Sequence, residues 1–110
     1  MKNIRKAIPI LQALCSLREP QRRIILAHVN DETCAYVCQA VDAVLHCETL
    51  TRHKKEKLKR LLSNNKKHYR YIAKKKNCMK KKKNILPHLG AGLGWLLSAA
   101  IPLLIQLLSK

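Results

Sequence analysis

Residues 51–84 carry 16 basic side chains and 1 acidic one, whereas residues 1–50 carry 6 and 5, and residues 85–110 carry 1 and 0. Nearly all of the formal charge of +17 therefore falls in one stretch. A surface so charged should repel cations and seek polyanions or anionic lipid. With 110 residues the chain is long enough for one small domain and too short for a large cleft between two domains. It contains no Phe, one Trp and three Tyr, which leaves Leu, Ile, Val, Ala and Cys to build the core.

The charge divides the chain into three segments: an amphipathic helical module (1–50), a polybasic helical segment (51–84) and a hydrophobic tail (85–110). In the first, Ile4, Ile8, Leu11, Leu14 and Cys15 recur at helical spacing, with Pro9 tolerable only in an early turn or at the helix start. Glu19-Pro20 reads as a helix entrance, because the first turn leaves that N–H unpaired in any case, and Arg22–Ala27 supply a short second helix. Asn30-Asp31 predicts a cap for a third, whose stripe of Cys34, Val37, Cys38, Val41, Val44 and Leu45 is the best amphipathic pattern in the chain.

Thr51 is a good N-cap residue for the basic helix, whose sparse apolar stripe is Leu58, Leu61, Leu62, Tyr69 and Ile72. So many like charges predict a helix that is weak alone and firms up when counterions neutralise it. Ser63-Asn64-Asn65 marks a weak point within it, and Asn77-Cys78 a break after it. From Leu89 to Leu108 there is no charged side chain. As one helix those 20 residues would extend about 30 Å, the thickness of a bilayer core. Gly90, Gly92 and Gly94 loosen its start and Pro102 interrupts its middle, so an apolar hairpin or an oligomerising helix is the other expectation. The expected fold class is all-α throughout.

Catalytic signatures are absent from the sequence. The six carboxylates form no evident acid/base pair, and Gly90-Ala91-Gly92-Leu93-Gly94 follows a Lys run rather than the strand that gives a phosphate loop its meaning. Cys34 and Cys38 lie one helical turn apart, with His28, His46 and Cys47 nearby in sequence, a spacing compatible with a zinc site. The shared stripe with Val37 and Val41 favours two small buried hydrophobes, and neither metal nor cofactor is expected. The five cysteines are an odd number behind no secretory signal, which predicts reduced thiols and a cytosolic, nuclear or virion-interior setting.

The polybasic segment is the strongest functional signal. Lys54, Lys55, Lys57, Lys59, Arg60, Lys66, Lys67, Arg70, Lys74, Lys75, Lys76, Lys80, Lys81, Lys82 and Lys83 are expected to displace counterions from nucleic-acid phosphates. Lys outnumbers Arg, and an ammonium is a point charge rather than a fork matched to guanine, so contact should be sequence-independent. Tyr69 and Tyr71 are candidates for stacking on unpaired bases, against the plainer reading that Tyr69 packs with Ile72. The rival reading uses the tail. A polybasic stretch before an apolar run of spanning length fits a tail-anchored protein with its N-terminus cytoplasmic, or a membrane-disrupting minor capsid component, with residues 85–108 inserting. An apolar run of this kind equally fits burial against capsid proteins or a second copy of the chain.

Gln21-Arg22-Arg23-Ile24-Ile25-Leu26, the helix with Cys38 and Val41, Leu50-Thr51 opening a Lys-rich helix, Tyr69-Arg70 with Ile72-Ala73-Lys74-Lys75, and Lys80-Lys81-Lys82-Lys83 before a Gly-containing apolar tail follow in an order that resembles a known family. It is the small basic protein of animal Polinton (Maverick) elements and the related adintoviruses, over roughly residues 7–108. That protein is likened to adenovirus core protein X (mu), a DNA-condensing virion component. The resemblance implies a non-enzymatic virion core protein, found in the virion interior and host nucleus, that binds double-stranded DNA through the Lys and Arg positions from Arg52 to Lys83. Gly90-Ala91-Gly92 departs from the double glycine expected before the tail, and no clean adenovirus-type protease cleavage pattern surrounds it.

Overall fold

The computed structural model describes residues 4–74, 76–89 and 91–108, and among them every regular element is helical. Six α-helices, α1 (Ile4–Ser16), α2 (Glu19–Ala27), α3 (Asp31–Leu45), α4 (Arg52–Ala73), α5 (Met79–Ile85) and α6 (Ala91–Leu108), are joined by short connections, with a 3-10 turn at Leu86–His88.

Local chemistry explains most of the boundaries. The Asn30 side chain accepts a hydrogen bond from the Thr33 N–H at 2.8 Å, and Thr51 Oγ1 accepts from the Lys54 N–H at 3.3 Å, each satisfying an orphan donor of a first turn. Asn65 takes φ −130° and ψ 26°, which kinks α4 at the expected weak point. The chain leaves the helical path after Ala73 and resumes at Met79, with Asn77 Nδ2 donating to the Tyr71 carbonyl at 2.8 Å across the break. Pro9 lies in the second turn of α1, an early turn as expected. It is exposed, so water can reach the carbonyl that its missing N–H leaves unpaired. Pro102 is likewise exposed within α6.

α3 is the hub. It touches α1, α4, α5 and α6, and Cys34, Val37, Cys38, Val41 and Val44 of its expected stripe are all buried. The larger revision concerns the apolar segment. Leu93, Leu96, Leu97, Ala100 and Leu104 of α6 are buried, and the helix packs along α1 and α3. Residues 85–108 therefore supply much of the core that the first 50 residues lack, and the boundaries near 50 and 84 separate charge rather than packing units. A radius of gyration of 12.8 Å agrees with the roughly 13 Å of a single compact domain of about 100 residues.

Gly92 and Gly94, expected to loosen the segment, lie inside α6 where neighbours press on the backbone. A Cβ on Gly92 would stand 2.6 Å from Leu61 Cδ2, and one on Gly94 2.7 Å from Arg22 Nη2. Gly90 and the side chains of Ile4 and Asn64 lie outside the described residues.

Candidate nucleic-acid interface

Packing on α3 divides α4 into two faces. Leu58, Tyr69 and Ile72 are buried against the core. Arg52, Lys55 and Lys59 before the kink, at steps of three and four, and Lys66 and Arg70 after it, four apart, are all exposed. Lys57, Arg60, Lys67, Lys74 and Lys76 are exposed as well, and Lys54 is half-buried. The cations of α4 lie on both of its arms, before and after the kink at Asn65, so they form a positive band rather than a point.

Few carboxylates answer them. Glu56, the one acid on α4, pairs with Arg52 at 3.5 Å, while Glu19 pairs with Arg23 and Asp42 with His46. Among the described residues, Arg52 and Lys83 are the only Lys or Arg between 51 and 84 in an ion pair with a carboxylate. Phosphates arriving at this face would thus meet cations still hydrated rather than already neutralised.

Not every expected contact residue belongs to the band. Lys80 and Lys81 are exposed, but Lys82 is only 3% exposed because α5 turns it against α3 and α4. Lys83 pairs with Asp31 at the start of α3. Helical periodicity places one residue in three or four of α5 on its packed side, and in an all-Lys run that residue must be a lysine. Lys75 lies outside the described residues.

Tyr69 is also corrected. It is 1% exposed, and its hydroxyl is 3.2 Å from where a Cβ on Gly92 of α6 would sit, so no base reaches it in this fold. That hydroxyl is buried without a hydrogen-bond partner, and burial pushes its pKa up to about 12. Tyr71 is half-buried. The aromatic that does meet the band is Trp95, whose ring lies 5.3 Å beneath the Lys57 Nζ. Sequence reading missed it, since the two residues are far apart in the chain and in segments of opposite character.

Arg22 and the Cys34–Cys38 pair lie inside the fold. Arg22 is buried, and its guanidinium donates to the Leu14 carbonyl at 2.9 Å and the Leu17 carbonyl at 2.7 Å, closing the end of α1. Cys34 and Cys38 lie with their sulfurs 4.0 Å apart in the core. The Cys38 hydrogen bond draws the Cys34 thiol below its usual pKa, whereas the Cys38 thiol is raised by the same contact and by burial. All five cysteines are free thiols. No three His, Cys, Asp or Glu side chains gather as metal ligands among the described residues.

Nor, among the described residues, is any single helix long and apolar enough to cross a membrane. Among those residues only the pair Met79–His88 and Gly92–Gln106 reaches that length and composition together, and the two are bent by 114° to one another. Comparison with protein-family models, with curated proteins and with solved structures finds no match to this chain.

Proposed function

We propose that this chain is a non-enzymatic DNA-binding protein that neutralises and condenses double-stranded DNA through sequence-independent contact with its phosphates. The observation that carries the reading is the exposed cation band of α4, joined in exposure by Lys80 and Lys81 and answered by almost no carboxylate. Release of condensed counterions from phosphate is the driving force such a band supplies. A face meant only for solubility mixes both signs of charge, and this one does not. The setting follows the resemblance to the Polinton and adintovirus core protein: the virion interior and the host nucleus, with capsid proteins or further copies of the chain as neighbours.

The fold weighs against a primary role in membrane insertion. Leu93, Leu96, Leu97 and Leu104 are buried in α6, and each contributes about 1.5–3 kcal/mol by leaving water. In a bilayer those leucines would still be out of water, so the cost of releasing α6 falls on α1 and α3, whose buried Leu11, Val37 and Val41 would lose cover.

Competition between two unrelated duplexes of equal length tests the reading. Equal competition, with compaction of long DNA as the protein is added, is the expected result. Strong preference for one sequence, or no binding by either, would overturn it.

A further inference from the structure

Two cavities meet between α3, α4 and α5. The larger, about 560 Å³, is floored by Leu45, Leu62 and Ala73 and rimmed by His46, Arg70 and Lys74, with Asp42 on its wall. The smaller, about 190 Å³, shares Asp42 and Ala73 with it and reaches Gln39 and Lys82. The two lie side by side along α3 and α4 with Asp42 and Ala73 as their common wall, and the larger falls within the roughly 300–1,000 Å³ of ordinary small-molecule sites.

The chemistry along the groove is ordered. At the outer end, exposed Arg70 and Lys74 present two cations over an apolar floor. In the middle, Asp42 Oδ1 is held by His46 Nδ1 at 2.8 Å, so an anion entering the groove is repelled from its centre and kept at the outer end. At the inner end, Gln39 Oε1 is buried with no hydrogen-bond partner, an acceptor that costs about 1–3 kcal/mol until a donor reaches it. Lys82, itself 3% exposed, lines the same cavity and supplies donors. A flat apolar-faced group with a donor beside an acceptor on its inner edge and an anion on its outer end matches that order. A nucleobase edge such as that of adenine, with its amino group next to a ring nitrogen, carries such a pair, and its own phosphate provides the anion.

We infer that the α3–α4–α5 groove binds one unpaired nucleotide, its base against Gln39, Lys82 and Ala73 and its phosphate on Arg70 and Lys74. The inference rests on the nucleic-acid reading and adds a base-holding pocket to a surface otherwise limited to phosphates. It also returns to the surface the base contact that Tyr69, being buried, cannot make. The same chemistry is offered by a free nucleotide and by a base extruded from a strand.

The test uses 2-aminopurine in three forms: within a single-stranded oligonucleotide, within the same oligonucleotide as a duplex, and as the free 5′-monophosphate. Each is titrated with the full chain and with its Gln39→Met and Ala73→Leu variants. One removes the orphan acceptor and the other fills the junction of the two cavities; retained helical circular dichroism identifies the variant that folds. The expected result is a change in emission on binding the single strand, with affinity about tenfold weaker in either variant and duplex affinity changed less than twofold. Binding of the monophosphate with the same sensitivity to the variants would identify the free nucleotide as the source. Single-strand affinity unchanged in both variants, with duplex binding intact, would overturn the pocket and leave the phosphate reading standing. Failure to bind either single strand or duplex would overturn both.

Discussion

The Arg22 guanidinium occupies the space directly beside Gly94, so close that a Cβ on Gly94 would stand 2.7 Å from Arg22 Nη2. The guanidinium cannot simply swing away, because its Nε and Nη2 hold the Leu14 and Leu17 carbonyls at 2.9 and 2.7 Å. A glycine inside a helix normally costs about 1 kcal/mol relative to alanine, and here that cost creates room for a buried cap joining α1, α2 and α6.

Gly94→Ala should therefore destabilise the fold by about 2 kcal/mol despite improving helix propensity, as two charge-assisted hydrogen bonds are displaced. Arg22→Ala should cost about 3 kcal/mol by leaving both carbonyls without their donor. Because the two share one contact, the double variant should lose clearly less than the sum, as read from urea unfolding midpoints. Additive losses would show that Gly94 and Arg22 act separately.

Tyr69 offers a substitution expected to help. Its ring fills the core, while its hydroxyl is buried without a partner. Tyr69→Phe should keep the packing and remove an unsatisfied group, raising stability by about 1 kcal/mol and the melting temperature by about 4–8 °C. The same hydroxyl predicts an alkaline limb. The folded phenol titrates near 12 and the unfolded one near the ordinary value of about 10. Its contribution is intact below the lower value and disappears as pH rises through the upper one. Tyrosinate absorbance should show one of the three tyrosines ionising last, and Tyr69→Phe should abolish that step.

The five thiols should react in a definite order. Cys78 is exposed, and the backbone N–H groups of Lys81 and Lys80, helped by their ammonium charges, lower its pKa. Cys15 moves the other way, raised chiefly by burial. At pH 7 iodoacetamide should label Cys78 first, with a rate that plateaus at lower pH than for a free thiol. Cys78→Ser should remove the fast phase alone. If Cys34 and Cys38 are labelled as quickly under native conditions, the α3 core is open.

Much of this architecture was legible in the sequence because it rests on local chemistry. The caps at Asn30 and Thr51, the kink at Asn65 and the stripe from Cys34 to Val44 each follow from residue type and spacing. What escaped depends on contacts between distant segments. The run from Leu89 reads as an appendage because nothing local says that α1 and α3 are waiting for it. Glycines at 92 and 94 read as flexibility for the same reason, since Leu61 and Arg22 are the neighbours that require them. In the basic segment, composition located the cations but not their directions. A run of four lysines looks uniform, yet Lys80 and Lys81 face water, Lys82 packs inward and Lys83 meets Asp31.

The central claim is that the outward face of α4 binds by displacing phosphate counterions, and the salt dependence of affinity for a random-sequence duplex tests it most directly. With about eight phosphates neutralised, the logarithm of the affinity should fall against the logarithm of salt with a slope near −7. Replacing Lys55, Lys59, Lys66 and Arg70 by Gln should reduce that slope in magnitude by about 3–4, because four contacts are lost and the apolar face is untouched. A slope near zero, or one that these four substitutions leave unchanged, would contradict it.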